Sequence, residues 1–159
     1  MIAPSDGAQG RFGPVNTSEA FDRLSNAPVG YLATAGANGR PHLVPFVFAL
    51  DDRRIVSAVD HKPKRSQDLR RVRNIAANPA VSVAANPAVS VLVDHYEEDW
   101  HRLWWVRADG RGRIVSDGPE YRDAIAALVA KYPPYLEDPP DGLAIVVDIE
   151  RVTGWTAGQ

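Results

Sequence analysis

Three cations, Lys62, Lys64 and Arg65, stand within Asp60-His61-Lys62-Pro63-Lys64-Arg65-Ser66, just ahead of a stretch with helical spacing. Cations placed before a helix, whose first N–H groups carry partial positive charge, suit a phosphate or similar anion. Lys62 and Lys64 are two of only three lysines in the chain, so their pairing around one proline is informative. Arg70, Arg71 and Arg73, further along, read as a solvated helix face. Nucleic acid is disfavoured as a partner, because Lys62 to Arg73 includes no aromatic side chain and the formal charge of the whole chain is −2.

Tryptophans form a second constellation. Trp100, Trp104 and Trp105 crowd one region, and Trp155 closes the last apolar run. Neighbours on a strand point to opposite faces, so only one of Trp104 and Trp105 can enter a core, and the other calls for a partner chain or a flat ligand. A third cluster, Asp94-His95-Tyr96-Glu97-Glu98-Asp99-Trp100-His101, has two imidazoles and four carboxylates. Its spacing matches neither a calcium loop nor a helical His-x-x-x-His pair, and it reads as a charged loop between strands with no metal. The chain has no G-x-S-x-G elbow, no P-loop lysine, no G-x-G-x-x-G fingerprint and no cysteine, so no catalytic nucleophile, acid or base is assigned.

These residues need elements to position them. Asn16 and Glu19 suggest a capping box for a helix from Thr17 to about Asn26. Tyr31 to Thr34 reads as a strand leading to a tight turn at Gly36-Ala37-Asn38-Gly39, followed by a strand from His42 to Leu50, a turn at Asp51-Asp52, and a short strand through Ile55, Val56 and Val59. Three strands without a crossover argue for antiparallel pairing. A basic helix follows from Ser66, and strands resume at Val89 to His95, Leu103 to Arg107 and Arg111 to Val115, the last two separated by a turn at Ala108-Asp109-Gly110. Asp117 and Glu120 suggest a second capping box, for a helix with Tyr121, Ile125, Leu128 and Val129 on one face that stops at Pro133-Pro134. The loop Tyr135 to Gly142 then leads to a last strand from Leu143 to Ile149, continuing to Trp155. The sum is a mainly β protein, an antiparallel barrel with flanking helices, in one domain spanning residues 16–159 after a flexible segment 1–15. That N-terminal segment lacks the features of a signal peptide, and no apolar run has the length of a membrane span, so a cytoplasmic location without membrane contact is expected.

The octapeptide Ala76-Ala77-Asn78-Pro79-Ala80-Val81-Ser82-Val83 is repeated at once as Ala84 to Val91. One short tandem copy is a local insertion, not a solenoid. Only the second copy joins Leu92 to Tyr96 directly, so the strand is expected over Ala88 to His95, with Ala76 to Ala85 as a surface excursion.

Several segments in fixed order resemble the flavin-binding split-barrel superfamily that includes pyridoxamine-phosphate oxidases: Tyr31-Leu32-Ala33-Thr34; Gly39-Arg40-Pro41-His42-Leu43-Val44-Pro45; Ile55-Val56-Ser57-Ala58-Val59-Asp60-x-Lys62-Pro63-Lys64; and Asn86-Pro87-Ala88-Val89-Ser90-Val91-Leu92-Val93-Asp94. The Lys-Pro-Lys loop and Asp99-Trp100-x-x-Leu103-Trp104-Trp105-Val106-Arg107 are similar to its branch of oxidoreductases that use the deazaflavin coenzyme F420. The resemblance implies a six-stranded split barrel forming a homodimer, with a cofactor at each interface and hydride transfer to a conjugated or unsaturated small molecule. FMN is the alternative cofactor, and a non-catalytic cofactor-binding protein the alternative role. It further implies that Lys62, Lys64 and Arg65 neutralise the cofactor phosphate. His42, Val44, Pro45 and Phe46 would line the ring system with Ala58, Val59 and Asp60 beside it, and Trp105 or Trp155 would come from the partner chain.

Overall fold

The computed structural model describes residues 13–59, 70–76 and 86–158. Its elements are β1 (Gly13–Pro14), α1 (Thr17–Asn26), β2 (Gly30–Ala35), β3 (Pro41–Phe46), β4 (Ala49–Asp51), β5 (Arg54–Ala58), α2 (Arg70–Ile75), β6 (Ala88–His95), a 3₁₀ turn (Trp100–Arg102), β7 (Trp104–Val115), α3 (Gly118–Lys131), α4 (Pro134–Glu137) and β8 (Ala144–Thr156). All strand pairs are antiparallel, in the order β3-β2-β6-β7-β8-β5-β4, with β1 added on β8. The two ends of that path, β3 and β4, are consecutive in sequence and separated only by Val47 and Phe48. One stretch of chain therefore pairs with β2 through its first half and with β5 through its second, which bends the sheet round into a barrel. Counting β3 and β4 as that one strand and leaving aside the two-residue β1, the barrel has six strands.

Alternation fixes which side faces inward. Leu32, Val91, Val93 and Val106 are fully enclosed and meet Phe48, Ile55 and Val147 in the core. α1 begins where the sequence places it, with Asn16 Oδ1 accepting the Glu19 N–H at 2.9 Å and Ala20 and Leu24 buried. The turn between β2 and β3 closes through Gly36 N–H to Arg40 O, with Gly39 at φ 77°. Gly13 and Pro14, the end of the segment expected to be flexible, pair with Thr156 and Trp155.

Four local expectations are corrected. Ala108-Asp109-Gly110 is not a turn: β7 runs unbroken and opposes β8 over both lengths, with a bulge that leaves Glu150 unpaired between Arg151 and Ile149. Glycine serves there as a point of backbone contact, not reversal. The expected strand from His42 to Leu50 is divided at Val47-Phe48, where it changes partner. Asp117 makes no side-chain cap bond, and the Glu120 carboxylate, which a capping box would turn back to the Asp117 N–H, is taken up instead by Arg113 and Arg54. The loop after Pro133 contains the single-turn α4, and the fully buried positions of α3 are Ala124 and Leu128.

The partner change at Phe48 is pinned by the end of α3. Lys131 Nζ donates to Ala27 O at 2.7 Å and to Phe48 O at 2.8 Å, and lies 4.3 Å from the Phe48 ring centre. The Tyr132 hydroxyl accepts the Phe48 N–H at 3.1 Å. Burial pushes the Lys131 ammonium down to about 8 from an ordinary 10.5. Between those values the unfolded chain carries the extra proton, so stability rises with pH across this window. Burial raises Tyr132 and Tyr121, which oppose this trend only above their ordinary value of 10. The denaturation midpoint should increase from pH 8 to 9.5, and the increase should vanish in Lys131→Met; equal pH slopes in the two proteins would contradict the assignment.

β6 spans Ala88–His95 as the continuity argument requires, built from the second octapeptide copy. The excursion expected over Ala76 to Ala85 lies outside the described residues except for Ala76. Its flanks are informative: Asn86 N–H donates to Asn74 O at 3.2 Å. Removing Ala76 to Val83 would place Asn86 four residues after Asn74, turning this contact into an ordinary helical bond. Loop closure over eight extra residues costs on the order of 1 kcal/mol or less. The deletion variant should therefore fold, with a melting temperature equal to or slightly above that of the parent; failure to fold would place the first copy in the core.

Candidate functional site at the split of the barrel

The strand that changes partner opens a gap. Ser57 Oγ donates to Val47 O at 2.7 Å where β5 and the β3–β4 strand part. From there Phe46 pairs with Gly30 of β2 while Ala58 pairs with Ala144 of β8. Among the described residues no strand covers the second edge of β3. With Gly36 N–H bonded to Arg40 O, the residues of β3 that bond β2 are His42, Val44 and Phe46, so the free edge carries the backbone groups of Pro41, Leu43 and Pro45: three carbonyls and, since proline has no N–H, the Leu43 N–H as donor.

The expected cofactor residues divide around this gap. His42, Val44 and Phe46 alternate on the inner face of β3, whereas Pro45 is exposed on the outer face. Phe46 is buried against Phe48, with ring centres 5.2 Å apart, so its side chain belongs to the core, and its backbone pairs with Gly30 of β2. Ala58 is half-buried; Val59 is buried, its N–H donating to Leu143 O at 2.9 Å. Burial, with Arg70 and Arg71 nearby, holds the His42 imidazole below its ordinary range. Asp60, Lys62, Lys64 and Arg65 lie outside the described residues.

The paired tryptophans separate as strand geometry demands. Trp104 packs against the core cluster, with the Arg23 guanidinium 4.7 Å above its ring and His95 stacked at 6.2 Å. Trp105 faces the opposite way, directly across from Trp155 in the ladder, and lines an open cleft of about 410 Å³ on the outer face of β3, β2, β6 and β7. Tyr31, Leu43, Leu92 and Tyr96 share this cleft, and Leu43 and Tyr96 are 66% and 62% exposed. Sequence reasoning passed over these four. Their signal is legible: Tyr31-Leu32 and Val91-Leu92-Val93 are apolar at successive positions, the pattern of a strand covered on both faces.

The acidic segment after β6 is taken up locally. Glu97 lies between His95 Nε2 at 3.1 Å and Arg102 Nε at 3.0 Å, and Asp99 caps the 3₁₀ turn. Among the described residues no helix is long and apolar enough to cross a membrane.

A barrel whose two sheet ends meet in one strand that changes partner, leaving a free edge beside it, defines the split-barrel class. Comparison with known proteins agrees. The profile of the pyridoxamine 5'-phosphate oxidase family matches residues 17–156, and the chain belongs to that family. Among solved structures, it is similar to a FAD-binding protein from Mesorhizobium loti (23% identity, 92% of this chain and 99% of that one, TM-score 0.66). A FAD-binding protein from Mycobacterium smegmatis is also similar (19% identity, 89% and 97% covered, TM-score 0.59), as is a conserved hypothetical protein from Mycobacterium tuberculosis (20%, 97% and 91%, TM-score 0.65). At these identities the likeness concerns the fold. No curated protein matches the sequence.

Proposed function

We propose that the protein is a flavin-type oxidoreductase that binds the deazaflavin F420 along the free edge of β3 and works as a homodimer. The observation that carries this reading is that edge, an unpaired strand that offers the carbonyls of Pro41, Leu43 and Pro45 and the Leu43 N–H beside the end of β5. A planar heterocycle with amide N–H and C=O groups satisfies such an edge as a further strand would. The two similar proteins named as FAD-binding support a flavin-class ligand, and family membership supports redox chemistry. Lys62-Pro63-Lys64 and the Trp100 to Arg107 segment, by resemblance, favour F420 over FMN.

When bound, the cofactor supplies the hydride chemistry. The chain's own residues would orient it: Leu43 and Pro45 through the backbone groups of the free edge, His42, Val44 and Phe46 by holding that edge from the β2 ladder, Ala58, Val59 and Asp60 as the opposing wall, and Lys62, Lys64 and Arg65 as counter-charges to its phosphate. Trp105 or Trp155 of the partner subunit would cover the ring. Apolar exposure at Leu43, Tyr31 and Tyr96 supports a second copy on that face.

Titration with F420, FMN and FAD, followed by tryptophan fluorescence, tests the reading. F420 should bind tightest, and reduced F420 should be consumed with an enone or quinone acceptor. Lys64→Ala should weaken F420 binding about tenfold, the worth of one charge-assisted contact, without moving the melting temperature. Preference for FMN would replace F420 by FMN; binding without turnover of any acceptor would make the protein a carrier; binding of none would overturn the reading.

A further inference from the structure

We infer that Ser57 is a positioning residue for the flavin-class ligand, fixing how far the two walls of the gap stand apart. This rests on the flavin reading and adds to it a side chain that acts through the main chain. The register of β4 on β5 runs Asp51↔Arg54, Leu50↔Ile55 and Ala49↔Val56, so one further pair would set Phe48 opposite Ser57. The ladder ends short of that pair, and side chains take the backbone groups instead. Val47 O accepts from Ser57 Oγ at 2.7 Å, Phe48 N–H donates to the Tyr132 hydroxyl at 3.1 Å, and Phe48 O accepts from Lys131 Nζ at 2.8 Å. Three successive polar groups of the main chain are thus held where β3 and β5 part.

The two kinds of anchor act in opposite senses. Lys131 and Tyr132, at the C-terminal end of α3, keep Phe48 out of the ladder, so the gap does not zip shut. Ser57, on β5, keeps Val47 within one hydrogen bond of that strand, so the gap does not widen at its apex. Both walls of the ligand site are a short step away: Pro45 of the free edge is two residues before Val47, and Ala58 and Val59 follow Ser57 directly. A displacement at the apex therefore passes to the groups that would meet the ligand, with little chain between to absorb it. The burial of Ser57 points the same way. Ile55 and Val59, two residues to either side, belong to the apolar core, and Ser57, on the same face by strand alternation, is 6% exposed. A hydroxyl there costs stability unless it is bonded, and an apolar side chain would serve packing alone. The bond to Val47 O accounts for it.

Ser57→Thr and Ser57→Val test the inference, since the two variants have nearly the same shape and differ in the hydroxyl. Both full-length variants and the parent are titrated with F420, FMN and FAD, followed by tryptophan fluorescence, at a temperature where thermal melts show each protein folded. Ser57→Thr should bind within about twofold of the parent and Ser57→Val about tenfold more weakly, the worth of one buried hydrogen bond. A purely structural role would lower the melting temperature and leave affinity in the folded range unmoved. A second readout needs no ligand: the ¹H–¹⁵N shift of the Leu43 amide, the donor of the free edge, should move in Ser57→Val and stay near that of the parent in Ser57→Thr, with the Arg151 amide of β8 unmoved in both. Should Ser57→Val not fold, Ser57→Ala against the parent makes the same comparison without added volume. Equal affinities for the Thr and Val variants, or an unmoved Leu43 amide, in a protein that binds a flavin would overturn the inference and leave the flavin reading standing. A parent that binds none of the three cofactors defeats both.

Discussion

Gly110→Ala should cost the protein most of its stability. A Cβ at this position would lie 2.1 Å from the Asp148 carbonyl oxygen, 3.0 Å from the carbonyl carbon and 3.2 Å from Ile149 Cα. All three obstacles are backbone atoms of the neighbouring strand, so no rotamer change relieves them. The close approach comes from the bulge, where β8 carries the extra residue Glu150 and Ile149 N–H turns away to Arg53 O at 3.1 Å. Relief requires β7 and β8, the two longest strands, to separate at their middle and to give up ladder bonds on either side. The expected destabilisation is about 4 kcal/mol or more, at the far end of the range for single substitutions. Gly39→Ala makes the control: its φ of 77° is strained for alanine, but nothing lies within 4 Å of the added carbon, so about 1 kcal/mol is expected. Urea denaturation of both variants decides it, and a Gly110→Ala loss as small as that of Gly39→Ala would mean the bulge is plastic.

Leu43→Asp should convert the protein to a monomer and abolish cofactor binding. Leu43 is 66% exposed on the outer face of β3, beside Tyr31, Leu92 and Trp105, so within one chain a carboxylate there remains hydrated and the fold is undisturbed. In a homodimer closed across this face, the same carboxylate would be buried without a partner, at a cost of about 3 to 5 kcal/mol and a rise in the dimer dissociation constant of a hundredfold or more. Sedimentation velocity should show the monomer, and on the proposed reading F420 affinity should fall with it, because the covering Trp105 or Trp155 of the partner subunit is then absent. A Leu43→Asp protein that remains dimeric would assign the interface to another face. A monomer that keeps full affinity would place the cofactor site within one chain.

Much of this architecture is local in origin and was legible. The cap at Asn16, the Asn38-Gly39 turn and the alternation in β2, β5 and β6 are properties of a few consecutive residues, and continuity alone chose the second octapeptide copy for β6. The places where local reading failed are those where distant residues decide. Ala108-Asp109-Gly110 has turn chemistry, yet β8 pairs along its whole length, and ladder bonds on both sides outweigh a local turn preference. Asp117 and Glu120 have the letters of a capping box, yet Arg113, from the strand before, and Arg54, from β5, claim the carboxylate.

The residue types by themselves determined the class of protein: antiparallel strands, two tryptophans bound for opposite faces, a cationic loop, and no catalytic nucleophile. Only the tertiary structure decided which edge is left open. Val47-Phe48 bears no mark of a partner change; it becomes one because the Lys131 ammonium and the Tyr132 hydroxyl, 80 or more positions away in the chain, take the Phe48 backbone groups. Periodicity records how a segment alternates between inside and outside, but the partner of each strand edge depends on long-range closure, to which neighbouring residues in sequence contribute little.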